Sequence, residues 1–179
     1  MSRSVTKCLL SALVVMVLFT PVSRAQMSAS SQPGPEQAFL AKRTGEYTRA
    51  IKFVGQQGEW SGTSKISVIL GGRFIVEENH DTVMGHAVEG MRIFGYDNAA
   101  KQYEMISMYT MSTAITKFTG KSEDGGKTIE YTTIGGNSGP PLHARMRQID
   151  DDHFVVTLST AGPDGKDAPF QETTYTRKK

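Results

Sequence analysis

Four histidines, His80, His86, His143 and His153, are the first side chains to weigh for chemistry. His80 and His86 stand among Glu77, Glu78, Asp81 and Glu89, donor types that suit a divalent metal. Zinc needs three or four such donors converging at about 2 Å. This spacing fits no ligand motif, and HExxH is absent, so the cluster reads as a polar hairpin tip. Asp150, Asp151 and Asp152 lack the spaced ligands and glycine of a calcium loop and read as a charged turn. Residues 121–127 (KSEDGGK) are not the GxxxxGK[ST] phosphate loop. Ser138 lies in GGNSGPP, but a GxSxG nucleophile elbow needs glycine at both 136 and 140, and 140 is proline. No catalytic or metal-ligating residue is assigned, and no cofactor is expected. Glu89 and Tyr109 are the acid–base candidates should the chain be an enzyme; either would need to reach within about 3 Å of its proton target.

Methionine and tyrosine form a second kind of pattern. Beyond Met27, residues 26–179 carry Met84, Met91, Met105, Met108, Met111 and Met146. Methionine is soft and adaptable and often lines undemanding apolar surfaces. If Tyr103, Met105, Ser107 and Tyr109 share one strand face, they make a wall of apolar groups and hydroxyls. Met91, Ile93, Tyr131 and Met146, with Ile129, would complete it. Such a wall suits a small-molecule cavity. The same residues suit a filled core whose methionines plug gaps, and the sequence leaves the two open.

The elements that must position this wall are strands. From residue 46 onward, short runs of Thr, Val, Ile, Tyr and Phe alternate with turn clusters, and no long helical period appears. The turns fall at 55–58, 71–72, 79–85, 97–100, 120–126, 135–141, 150–152 and 162–168. They bound nine or ten strands near 46–54, 59–70, 73–79, 86–96, 101–111, 113–119, 127–134, 142–149, 153–161 and 169–177. Short links in sequence predict an antiparallel up-and-down meander, and closing it into a barrel removes the unpaired edges. Residues 36–43 (EQAFLAKR) predict a short N-terminal helix, with Pro35 just before it and Gly45 stopping it. In the last hairpin but one, Leu142, Ala144 and Met146 alternate with His143, Arg145 and Arg147. A three-residue loop, 150–152, pairs Ile149 with His153 and brings both apolar sets to one face. Met146, Phe154 and Val156 then point inward, and His143, Arg145 and Arg147 outward. With His153 also turned outward, haem ligation is not expected.

The first 25 residues read as an address rather than as structure. Arg3 and Lys7 precede a twelve-residue apolar run, 8–19, and Ser23-Arg24-Ala25 fits a signal-peptidase site. Cleavage is expected after Ala25; twelve residues fall short of the roughly 20 that span a bilayer. Residues 26–35 (QMSASSQPGP) read as a flexible tether and 36–179 as one domain. The only cysteine, Cys8, lies in the apolar run, so residues 26–179 can form no disulfide and do no thiol chemistry. Residues 1–25 hold three of the 20 basic residues and none of the 18 acidic ones, leaving 17 against 18 in the remainder. That balance argues against nucleic-acid binding.

Several islands occur together: Gly45-Glu46-Tyr47, Leu70-Gly71-Gly72-Arg73-Phe74, Glu89-Gly90, Gly95-Tyr96-Asp97 with Lys101 and Tyr103, and Tyr175-Thr176-Arg177. In this order and spacing the chain resembles a bacterial domain family of unknown function, one assigned to the calycin-like, lipocalin-like barrels. The resemblance spans 36–179. It implies an all-β, single antiparallel calycin-like barrel and no established reaction. It also implies that Tyr47, near the start of the first strand, packs under Arg177 of the last strand and plugs one end. Cation–π stacking of that kind is worth about 0.5–2 kcal/mol. Family members usually carry tryptophan where this chain has Tyr47, and Trp-x-Asp where it has Ser107 and Tyr109. A cavity here would be wider and less acidic than in its relatives.

The leading expectation is an exported, periplasmic or secreted barrel that binds a small, largely apolar molecule, with no membrane span after signal cleavage. The alternatives are an enzyme acting on a small substrate in the cavity and a structural, partner-binding envelope protein. Neither the ligand nor the oligomeric state can be read from the sequence.

Overall fold

In the computed structural model, residues 31–134, 140–162 and 166–179 are described. The expected signal segment and Ser138 lie outside them. Beta-branched and aromatic residues at alternate positions build ten strands. They are β1 (Gly45–Phe53), β2 (Trp60–Ile69), β3 (Phe74–Val83), β4 (His86–Asp97) and β5 (Gln102–Tyr109), followed by β6 (Thr116–Lys121), β7 (Thr128–Thr133), β8 (Leu142–Gln148), β9 (His153–Ala161) and β10 (Asp167–Arg177). Each strand pairs antiparallel with its sequence neighbours, and β10 pairs back onto β1, closing the barrel. The all-β, up-and-down expectation holds. A seven-residue helix, α1 (Pro35–Ala41), precedes β1 with proline in its first turn. Among the described residues no helix is long and apolar enough to cross a membrane.

Register decides what faces the interior. Ile149 N–H bonds the His153 carbonyl at 2.9 Å, and Met146 lies opposite Val156, as the three-residue loop requires. Met146, Phe154 and Val156 are buried, while Arg145 and Arg147 are exposed. In β10 a one-residue bulge between Pro169 and Gln171 sets Gln171, Thr173 and Tyr175 opposite Leu158, Val156 and Phe154. The turn after β2 puts Gly71 and Gly72 at φ +65° and +85°, the left-handed region that glycine enters without strain.

Two strand boundaries differ from expectation. The expected polar turn at 79–85 shrinks to Met84 and Gly85, because β3 continues to Val83 with Glu77, Asn79 and Asp81 facing inward. The polar character of those residues marks an interior polar wall, not a hairpin tip. β6 begins at Thr116, so 110–115 is a loop and not strand.

The core packs Tyr47, Ile66, Ile75, Phe94, Tyr131, Met146, Phe154 and Tyr175 around the barrel axis, with Leu40 of α1 sealing one end. That closed end carries the turns after β2, β4, β6 and β8. The other end carries the turns after β1, β3, β5, β7 and β9.

Candidate functional site: a two-faced cavity in the barrel

The interior has two unlike walls. Inward positions on β1 to β4 carry nearly all the buried charge, with Arg49, Ser64, Glu77, Asn79, Asp81 and Arg92 set among Tyr47, Ile51, Ile66, Ile75, Val88 and Phe94. Inward positions on β5 to β9 are mostly apolar: Met105, Phe118, Ala144, Met146, Val156 and Leu158. Between them lies a cavity of about 170 Å³ whose lining includes Arg49, Arg92, Ser107, Tyr109, Thr116, Tyr131, Gln171 and Thr173. A second cavity of about 210 Å³, towards the open end, shares Arg49, Tyr109, Leu158 and Gln171 with the first.

Room for these groups comes from missing side chains. Gly62, Gly90 and Gly120 lie directly opposite Asp81, Tyr109 and Tyr131. A Cβ at Gly90 would sit 2.5 Å from the Tyr109 ring, and one at Gly62 would overlap the Asp81 carboxylate. Larger residues there would push those side chains across the bore.

Buried charge costs free energy unless it is paired and hydrogen-bonded. Arg49 Nη1 meets Asp81 Oδ2 at 2.5 Å, and Asn79 Nδ2 donates to the same oxygen at 3.0 Å. Arg92 Nη2 donates to Glu77 Oε1 at 3.0 Å and to the Tyr175 hydroxyl at 2.5 Å. Ser64 and Tyr175 also donate to Glu77 Oε1, each at 3.0 Å. The Arg49 guanidinium lies 5.1 Å from the centre of the Tyr175 ring. Both arginines therefore rest on one tyrosine, one over its face and one at its hydroxyl.

Burial opposes the charge on Arg92, but the adjacent Glu77 carboxylate overcomes it and holds its pKa well above the ordinary value. For Asp81 the balance runs the other way: burial outweighs Arg49 and raises its pKa. Burial also pushes the Tyr131 and Tyr175 phenols far up, so both stay protonated, and Tyr175 donates to Glu77.

Of the residues singled out from sequence, Met105, Ser107, Tyr109, Tyr131 and Met146 line the cavity. Met91 and Ile93 do not. Their neighbours Arg92 and Phe94 take the inward positions of β4, and strand alternation turns Met91 and Ile93 to the outside. Tyr103 is buried but sits at the closed end, lining a groove with Phe39 and Tyr96. Glu89 and Tyr109 do not converge, because Glu89 faces out beside His80 at 3.6 Å while Tyr109 faces in. His143 and His153 stand outside, near Asp167 and Asp150. Among the described residues no three His, Cys, Asp or Glu side chains gather as a metal set.

Sequence reasoning missed Arg49, Glu77, Asp81 and Arg92. A signal was present, since Ile75, Glu77, Asn79 and Asp81 keep one parity, as do Tyr47, Arg49 and Ile51. Reading charged residues as solvent-facing hid it.

At the closed end, Arg177 lies 4.9 Å from the Tyr47 ring centre and donates to the Thr44 and Lys42 carbonyls. Tyr47 donates to the Arg43 carbonyl at 2.9 Å. Arg43 is buried against the Phe39 and Phe154 rings and donates to Gln148 and to the Gly126 carbonyl.

An up-and-down antiparallel barrel plugged at one end, with an internal cavity, defines a calycin-like protein. The profile of the family described as "Protein of unknown function (DUF1579)" matches residues 32–177, and the chain belongs to that family. Among solved structures it is similar to the S-type phycobiliprotein lyase CPES from Guillardia theta. The TM-score is 0.53 at 13% identity, covering 80% of this chain and 92% of the lyase, a likeness of fold. No curated protein sequence matches the chain.

Proposed function

We propose that this protein is an exported barrel that holds one compact, mostly apolar small molecule inside its bore. The observation that carries the reading is the 170 Å³ cavity, walled on one side by Met105, Phe118, Met146, Val156 and Leu158. A cavity of roughly 150 Å³ accepts a benzene-sized guest. Binding sites combine such apolar walls with a few placed polar groups; Ser107, Tyr109 and Thr173 are such groups here. The solved lyase, named for its action on phycobiliproteins, supports the idea that this type of barrel handles small molecules. Export rests on the n-region, apolar run and cleavage pattern of residues 1–25.

Native mass spectrometry of the full-length gene product, purified without denaturation, tests the reading. The expected spectrum shows a chain beginning at Gln26 plus an extra mass that leaves on unfolding. Ala144→Leu, which builds into the cavity, is expected to lose the extra mass and remain folded, because added side-chain volume meets space rather than packed atoms. A bare mass for the wild-type chain, together with no uptake of toluene, would overturn the binding reading.

A further inference from the structure

The polar atoms left over on the cavity wall share one character. Among the described residues, Arg49 Nε, Arg92 Nε and the Tyr131 hydroxyl are buried without a hydrogen-bond partner, and all three side chains line the cavity. Each can donate. Of the unpartnered acceptors, Asn79 Oδ1 belongs to a residue that lines neither cavity, and Asp81 Oδ1 to one that lines the second cavity and not the first. A guest that satisfies this wall must therefore present acceptor oxygens.

The charges add a second constraint. Five charged side chains are buried among the described residues: Arg43, Arg49 and Arg92 against Glu77 and Asp81. Glu77 pairs with Arg92 and Asp81 with Arg49, leaving one guanidinium, Arg43, with no carboxylate. Arg43 acts electrostatically on Tyr131 of the cavity wall, and Arg49 and Arg92 lie close enough to repel each other. Arg43 sits in the closed-end plug and does not line the cavity, so a single negative charge in the cavity would offset this excess from beyond Tyr131, whereas a dianion would overshoot it.

Building on the small-molecule reading above, we propose that the guest is a monocarboxylate. Its carboxylate lies towards Arg49, Arg92 and Tyr131, and its hydrocarbon part lies along Met105, Phe118, Val156 and Leu158. Charge-assisted bonds from guanidinium to carboxylate are the stronger kind and gain further from exclusion of water.

Calorimetric titration of the wild-type chain with matched pairs decides it: benzoate against benzamide, and hexanoate against hexanamide. The two members of each pair differ little in size and chiefly in charge. The carboxylate is expected to bind about tenfold tighter or more in both pairs. Equal or tighter binding of the amides would overturn the monocarboxylate assignment and leave the cavity reading standing. Failure of every compound, toluene included, would overturn both. The double substitution Arg92→Met with Glu77→Gln removes a charge and its partner together. It is expected to bring the carboxylate-to-amide ratio close to one while the amides bind within about threefold of wild type. An unchanged ratio in the folded double variant would overturn the role given to Arg92. Should that variant not fold, the wild-type pairs alone still decide.

Discussion

The two ends of this barrel are built from opposite materials. At the closed end, α1 packs against β3 and β4, and Gln37 donates to the Tyr96 carbonyl at 2.9 Å. Tyr47 and Arg43 are almost wholly buried there, and the turns carry Arg73, Lys101, Glu123, Asp124, Lys127 and Asp150 to Asp152. At the open end, the turns at 84–85 and 110–115 carry no charge, while Glu59 and Lys166 stand in the turns after β1 and β9. Val54, Met84, Met111, Ile115 and Ile134 are exposed on that rim. Structure is invested where the bore is plugged, and the rim around the bore is left uncommitted. The cavities lie between the two, so the fold can tolerate change at its mouth that it could not tolerate at its plug.

The sharpest way to break this contrast is Tyr47→Ala. It deletes a buried ring packed edge-on against Phe154 at 5.3 Å and Tyr175 at 6.2 Å, together with its bond to Arg43. Urea unfolding is expected to show a loss of about 3–5 kcal/mol; a loss below about 1 kcal/mol would mean that the plug is not a stability centre. Arg177→Met keeps much of the aliphatic stem and removes the stacking cation. It is expected to cost about 0.5–2 kcal/mol, read as a lower urea midpoint at unchanged slope. Met111→Ser, at a rim residue 74% exposed, is expected to change stability by no more than about 0.5 kcal/mol. A large effect there would show that the rim is packed in solution.

Much of this architecture was legible in the sequence. Period-two alternation gave the strands of the barrel, and a parity argument on Ile149 and His153 gave the correct register for β8 and β9. The family resemblance implies the pairing of Tyr47 with Arg177, whose guanidinium lies 4.9 Å from the Tyr47 ring centre. The site was half legible. On β5, Met105, Ser107 and Tyr109 share a face that lines the cavity, while Tyr103 on the same face lies at the closed end. On β4 the apolar Met91 and Ile93 suggest the inward face, yet Arg92 and Phe94 face in. Alternation identifies two faces of a strand; it does not say which is inside when the interior face carries a charge. That choice depends on partners far away in sequence: Glu77 for Arg92, and Asp81 for Arg49 across 32 residues.

Tyr175 has a consequence for how the chain comes into being. Its hydroxyl bonds Glu77, 98 residues earlier, and Arg92, 83 residues earlier, while β10 also pairs with β1. Until the last strand has been synthesised, Glu77 and Arg92 lack a member of their network and β1 keeps an unpaired edge. Contacts of such long sequence separation slow folding, since loop closure precedes the reward. β10 thus acts as a latch: a nascent chain still lacking it holds its ionic centre open, and a truncation within β10 removes the fold's closing step.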